Sequence, residues 1–307
     1  MKNVARTLPR RVLEHIRTCG LWKPGDKVAV SVSGGVDSMV LLHVLHQTQA
    51  AHGAILFVVT IDHGLRTESA AEARFVAATS AELGLPCEML SLSLEPGPNL
   101  AERAREARRA VLLRFGADGI ATGHHQGDQA ETVLYHLLRG SGMRGLRGMQ
   151  AKSGIWTKPL LREPRGVLED WARSQGIDWI EDPSNASSQR GRIRMLLPAL
   201  NVVHGGAGRA LARSARLLAR EDAFVSGLTD TAWDATQKDG GLSRSALAQH
   251  HPAIQLRLLR RLTRDVRVPA EPLESIVDGA LLGGGSLDLG HGLRLVQRGD
   301  ILCVEAE

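Results

Sequence analysis

Apolar positions in the first part of the chain fall into short continuous runs separated by stretches of helical period. VAVSV (28–32), AILFVVTI (54–61), CEMLSL (87–92) and GIAT (119–122) read as strands. Helices are expected from about Asp37 to Gln49, from Glu68 to Leu83, and onward from near Asn99 and near Asp128. Strands apolar throughout are buried on both faces, and their alternation with helices predicts βαβ units. The fold class is therefore α/β, a doubly wound, mostly parallel sheet. Ahead of it, MKNVARTLPRRVLEHIR reads as a basic amphipathic helix and not as an apolar secretion signal.

Past Leu200 the pattern changes. NVVHGGAGR (201–209) reads as a connector, RALARSARLLAREDAFVSGL (209–228) as a long helix, and two more helical stretches follow near 243–250 and 252–264. The end, GGGSLDLGHGLRLVQRGDILCVEAE, alternates in short runs between glycine turns, as a small antiparallel sheet does. A boundary near residue 200 divides a larger domain (1–200) from a smaller α+β domain (201–307).

A length of 307 residues suits one large or two modest domains. No apolar run approaches the ~20 residues that span a bilayer, so a cytoplasmic protein with no membrane partner is expected. Cys19, Cys87 and Cys303 form no CxxC pair. That argues against a disulfide framework, a zinc ribbon or an iron–sulfur cluster, and the three read as small buried hydrophobes. The formal charge of +5 is unevenly placed: residues 1–200 hold 25 Lys+Arg against 20 Asp+Glu, while residues 201–307 hold 13 of each. Seven of those bases and one acid lie between Arg139 and Arg165. A polyanion larger than a nucleotide would explain that bias, and so would a solvated loop.

Ligands of a parallel sheet bind at the carboxyl ends of its strands. The unusual residues cluster there: SGGVDS after the first strand, DHGLR after the second and GHHQGDQ after the fourth. In the first turn, Gly34 and Gly35 let backbone N–H groups approach an anion, and the next helix adds its positive end. Ser33 and Ser38 contribute hydroxyls. Asp37 repels phosphate unless a divalent cation stands between them. A Walker A loop would carry a lysine here, and this turn has none. Asp128 and Glu131, three residues apart, share one face at the start of a helix, where one could help hold a cation and the other an ammonium. Acids favoured by any helix N-terminus would look the same.

SGGVDS resembles the pyrophosphate loop of the ATP-pyrophosphatase superfamily, whose domains have an adenine nucleotide α-hydrolase-like fold. IDHGLR (61–66), AREAR (104–108), TGHHQGDQAET (122–132), RGSGMRGLRGM (139–149), KPLL (158–161) and EDPSN (181–185) follow in the order seen in tRNA(Ile)-lysidine synthetases. The resemblance covers about residues 27–200. It implies that ATP, with Mg2+, adenylates the carbon-2 oxygen of the wobble cytidine of tRNA(Ile) with a CAU anticodon. Free L-lysine then displaces AMP through its ε-amine. A homodimer is implied by the resemblance alone.

Residue by residue, it assigns nucleotide binding to Ser33, Gly34, Gly35, Val36, Asp37, Ser38, Asp62, His63, Gly123 and His124. His125 is a second candidate for lining that pocket. Asp37 and Asp128 would hold the metal. Asp128, Glu131 and Arg105 would hold lysine, and Asp37, Asp128, Glu131 and Arg108 would carry catalysis. Asp182 and Asn185 would form a wall of the site. The tRNA would meet Arg139, Arg144 and Arg147 on a mobile glycine-rich loop, Arg190, Arg192 and Arg194 beyond EDPSN, and the second domain. Aromatic stacking platforms are scarce, and Trp156, Trp171 and Trp179 read first as core.

The chain departs from the family pattern at Gly127, where a second acid is common. It departs also at Arg109 for a tyrosine, Lys158 for an arginine and Gly191 for an asparagine. Three other readings stay open: a tRNA thiolation enzyme, which typically needs cysteine pairs, a small-molecule adenylating ligase, and a non-catalytic tRNA-binding paralogue.

Overall fold

The structure, a computed structural model, describes residues 2–62, 69–92, 97, 100–181, 189–263, 268, 270–277, 285–290 and 292–306. His63, Asp182 and Asn185 lie outside them, and the side chains of Arg105 and Arg190 are likewise not described. The chain forms two compact units, Met1–Ala219 and Arg220–Glu307.

The first unit opens with α1 (Lys2–Thr18), then β1 (Lys27–Ser31), α2 (Val36–Gln47), α3 (Gln49–His52) and β2 (Ile55–Asp62). Next come α4 (Ser69–Glu82), β3 (Cys87–Ser91), α5 (Leu100–Leu112), β4 (Gly119–Thr122), α6 (Gln126–Leu138) and α7 (Met143–Leu146). A short hairpin, β5 (Lys152–Ser153) and β6 (Trp156–Thr157), leads to α8 (Arg165–Gln175), α9 (Gln189–Val203) and the start of α10 (Ala207–Thr236). The sheet order is β3-β2-β1-β4-β6-β5, parallel throughout except for β5 against β6.

Alternation along the central strands explains the two layers. Val28 and Val30 of β1 face a core built with Leu8 and Val12 of α1, Val40 and Leu41 of α2, and Leu168 and Trp171 of α8. Ala29 points the other way, into a smaller core with Val59, Ile120 and Leu112 of α5. Chain order reverses at the β1–β4 pair, where Ser31 lies beside Thr122. Such a switch point opens a crevice beyond the strand ends.

In the second unit, the rest of α10 leads to β7 (Gln237–Lys238), β8 (Gly241–Ser243), α11 (Arg244–Leu247), α12 (Pro252–Leu262) and α13 (Ala270–Val277). The strands β9 (Gly285–Gly290), β10 (Leu293–Arg298) and β11 (Ile301–Ala306) complete an antiparallel sheet of order β7-β8-β11-β10-β9. Its core holds Leu242, Leu258, Leu259, Leu273, Leu295 and Leu302. Among the described residues, no helix is long and apolar enough to cross a membrane.

Several local expectations change. The two compact units meet inside α10, while the 201–209 stretch holds the break between α9, ending at Val203, and α10, starting at Ala207. The 139–149 loop is no free loop: it contains the helical turn α7, and Gln129 of α6 bonds both the Met149 N–H (2.8 Å) and its carbonyl (3.0 Å). The three cysteines are free but half-buried.

Candidate active site

The chain leaves β1 through a tight turn. Gly34 has φ +85°, a left-handed conformation that glycine adopts without strain. Its carbonyl accepts the Ile180 N–H at 2.9 Å, tying the turn to the segment after α8. Gly35 caps α2 in an extended conformation without a side-chain hydrogen bond. Ser38 is buried, and its hydroxyl closes the turn on itself: it donates to the Gly35 carbonyl (2.9 Å) and accepts from the Ser33 N–H (3.1 Å). The result is a rigid cradle of N–H groups at a helix N-terminus, suited to an anion. Beside it, a Cβ on Gly123 at the end of β4 would lie 3.1 Å from the Asp37 carbonyl, a contact tight enough to press on the start of α2.

Asp37 sits in the first turn of α2. Its Oδ1 is buried and has no hydrogen-bond partner among the described residues. Burial pushes its carboxyl pKa above the ordinary range, only partly opposed by His125 and Arg165. Across from it, α6 begins with a capping box: His125 Nδ1 accepts the Gly127 N–H (2.9 Å), and Asp128 Oδ2 accepts the His125 N–H (2.9 Å). This brings Asp128 towards Asp37 and turns Glu131, one helical turn later, into the same region. Glu131 is buried and gripped by Arg194 of α9, whose Nε and Nη2 donate to its two oxygens at 2.6 and 3.2 Å. Arg194 Nη2 is also 4.0 Å from Asp128 Oδ1. The ion pair raises the Arg194 pKa, chiefly through its hydrogen bond to Glu131.

Asp37, His125, Asp128 and Arg194 line one cavity of about 940 Å³, whereas Glu131, held by Arg194, does not. The glycine turn and Asp37, Asp128, Arg108 and Arg194 form part of its wall. Arg165, Glu169 and Arg173 of α8 line it too, with Arg165 Nε donating to Glu169 Oε1 at 3.0 Å. Trp179, with the Arg173 guanidinium 5.8 Å from its ring centre, adds a flat apolar patch. A smaller recess of about 210 Å³ reaches Arg108, Gly123 and His124 beside the turn. His124 Nδ1 lies 2.9 Å from the Thr122 hydroxyl. Cations for phosphates and acids for a metal or an amine thus face one space.

Among the described residues no cluster of three protein ligands could hold a metal unaided. A magnesium ion needs none, since it is commonly held by one or two carboxylates with water and phosphate filling its shell. The orphaned oxygen of Asp37 fits that demand, with Asp128 as its neighbour.

The candidates separate in space. Ser33, Gly35, Val36, Asp37, Arg108 and Asp128 line the larger cavity. Ser38, Gly123 and His124 line the smaller one, and Gly34 carries the turn between them and Ile180. Asp62 ends β2, half-buried. Arg139 is exposed and stacks over Tyr135, Arg144 is exposed on α7, and Arg147 is half-buried behind it. Arg192 is exposed on α9, whereas Arg194, grouped with it by sequence, turns into the acidic cluster. Trp171 is core, as its apolar surroundings on α8 suggest. Sequence reasoning missed Arg165, Glu169 and Arg173, whose i, i+4 spacing is that of any solvated helix face. Trp179 carried only the weak signal of being aromatic.

A doubly wound sheet with a lysine-free glycine cradle at its switch point is the architecture of an ATP-pyrophosphatase, and the PP-loop domain family model matches residues 5–200. The chain is 37% identical over 317 residues to the tRNA(Ile)-lysidine synthase of Symbiobacterium thermophilum, an alignment covering 94% of this chain and 65% of that protein. It is 38% identical to the synthase of Rhodopseudomonas palustris, covering 78% and 75%, and 41% identical to that of Bradyrhizobium diazoefficiens, covering 68% and 62%. This chain belongs to the tRNA(Ile)-lysidine synthase family. It spans 58–65% of the length of four curated synthases of this family, the Symbiobacterium and Bradyrhizobium proteins among them. The U34-tRNA thiolase NcsA from Methanococcus maripaludis, solved with its [4Fe-4S] cluster, shares the fold: TM-score 0.59, 20% identity, 71% of this chain and 80% of that one.

Proposed function

We propose that the chain ligates L-lysine to carbon 2 of the wobble cytidine of tRNA(Ile) with a CAU anticodon, converting ATP to AMP and pyrophosphate. One observation carries this reading: an anion cradle and the carboxylates of Asp37 and Asp128 share a cavity of about 940 Å³. The cradle suits a triphosphate, and the acids suit the cations that the reaction must bring to it.

The Ser33–Ser38 turn holds the β- and γ-phosphates through backbone N–H groups, while Arg108 and Arg165 offer guanidinium groups to the same anion. Asp37 and Asp128 would hold Mg2+, whose charge would neutralise the departing pyrophosphate. The carbon-2 oxygen of the cytidine attacks the α-phosphorus, and the α–β bond breaks. Glu131 and Asp128 orient the lysine ε-ammonium and take up its proton. The freed amine attacks carbon 2, and AMP leaves with the oxygen it had activated. Arg194 supports the assignment of Glu131 as a carboxylate that takes a cationic partner, since its guanidinium is paired with it at the cavity wall. The exposed Arg139, Arg144 and Arg192 are assigned to tRNA phosphates, and the second unit to tRNA recognition.

The test is transfer of labelled lysine to a tRNA(Ile) transcript with a CAU anticodon, beside a control with uridine at the wobble position. Lysine should enter the cytidine transcript alone, with AMP and pyrophosphate released. Adenylated tRNA without lysine transfer would point to another amine, and ATP cleavage independent of tRNA to a small-molecule ligase.

A further inference from the structure

The proposed chemistry gives His125 no role, yet its ring is buried in the middle of the site. Its Nδ1 faces two backbone donors at the start of α6, the N–H groups of Gly127 (2.9 Å) and Asp128 (3.4 Å). A ring nitrogen that accepts carries no proton, so the neutral imidazole must carry its proton on Nε2. That nitrogen lies 3.6 Å from Asp37 Oδ2 and 3.6 Å from Asp128 Oδ2. Neither distance is that of a closed hydrogen bond. A single N–H instead stands between two carboxylates, close enough to close on either one. Because the ring's lone pair is already engaged by the helix, Nε2 has none to offer a metal.

Gly127 makes this arrangement sterically possible. A Cβ there would lie 2.7 Å from Cε1 and 3.0 Å from Nδ1 of the same ring. The ring fills the space of the missing side chain, and the glycine N–H fixes its tautomer.

We infer that His125 is a positioning residue, locked as the Nε2–H tautomer by the N-terminus of α6, which sets Asp37 and Asp128 to receive a divalent cation without binding it. The cation part rests on the reading of those two acids under the proposed function; the tautomer does not. Groups that orient metal-ligating side chains typically contribute about 10–100-fold in metal affinity or activity.

Imidazole nitrogen shifts of the full chain, free of metal and labelled at histidine, should show Nε2 protonated and Nδ1 unprotonated at His125. The opposite tautomer, or a rapidly exchanging mixture, overturns the inference. His125→Asn keeps a good N-cap but removes the second donor. It should unfold near the wild-type midpoint while binding Mn2+, used alone in place of magnesium, about tenfold or more weakly. The kcat for adenylated tRNA should fall with it. Wild-type Mn2+ affinity in that variant defeats the positioning role. So does loss of the Nε2 proton when Mn2+ binds, which would make His125 a ligand. Gly127→Ala should displace the ring and reproduce the weaker binding even if His125→Asn folds poorly. Asp37→Asn separates the two readings: undiminished Mn2+ binding there removes the cation assignment, and the nitrogen shifts alone then decide the tautomer.

Discussion

Two aspartates on helices, Asp37 in the first unit and Asp222 in the second, meet burial in opposite ways. Asp222 is 1% exposed and accepts the Arg257 Nη2 at 2.6 Å, while the same guanidinium donates to Ser226 at 3.2 Å. Asp37 keeps a buried oxygen with no hydrogen-bond partner among the described residues, and burial raises its pKa. The first arrangement is what a fold builds when a buried charge serves structure, since an unpaired one is costly. The second leaves one carboxylate oxygen unsatisfied beside an anion cradle, where the proposed cation would complete it. Buried acids therefore differ in meaning by their partners, not by their depth.

Replacing each aspartate by asparagine should separate the two roles, and the largest effect falls on chemistry. Asp37→Asn should slow AMP and pyrophosphate formation by about a thousandfold or more, the several kcal/mol that a metal-held phosphate contact supplies. The same change should raise the unfolding midpoint at pH 7 in metal-free buffer. Because the folded pKa lies above the unfolded one, the ionised carboxylate weakens the fold as pH climbs past its unfolded value near ~4, and asparagine removes that penalty. Asp222→Asn should do the reverse, taking from Arg257 the carboxylate it donates to at 2.6 Å, at a loss of about 3 kcal/mol in denaturant unfolding while the adenylation rate holds at low temperature. If both variants lose stability alike, Asp37 is merely structural.

His15 on α1 shows a third outcome of burial, discharge. Its pKa is lowered to about 4, first by burial and then by Arg162. The unfolded chain protonates this group near pH 6.5, so stability should be complete above that value and fall as pH drops towards 4. The loss should be about 2 kcal/mol, and a His15→Leu variant should lack this component of the urea-unfolding profile. Equal slopes for the two chains between pH 6.5 and 4 would mean that His15 takes its proton in the fold as easily as outside it.

Glu131 lies between these cases, paired like Asp222 but to an arginine, Arg194, that itself lines the cavity. Glu131→Gln should raise the KM for lysine about tenfold, one charge-assisted hydrogen bond, with the KM for ATP unchanged. Stability should change little, because the partner left behind, Arg194, is largely solvated. A lysine KM that stays put would move the ammonium to Asp128 alone.

Much of this site was open to reading before any coordinates. Four strand runs, apolar because the sheet is covered on both faces, located the parallel core. Glycines 34 and 35 between strand and helix marked the anion turn, and the three-residue step from Asp128 to Glu131 put both acids on one helix face. Strand and turn propensities and helical period act over a few residues, so a linear pattern carries them. The partnerships were invisible. Arg194 reaches Glu131 across 63 positions, and read along the chain it belonged with the surface arginines. The Arg165, Glu169 and Arg173 face of α8 looked like ordinary solvated charge until α8 packed against α2 and turned it to the cavity. His125 stands between Asp37 and Asp128 only because β1 and β4 are neighbours in register, Ser31 beside Thr122. The sequence by itself determined which local devices exist. The sheet order and helix packing of the folded chain decided which charges meet, because Coulomb attraction depends on distance in space and carries no record of distance along the chain.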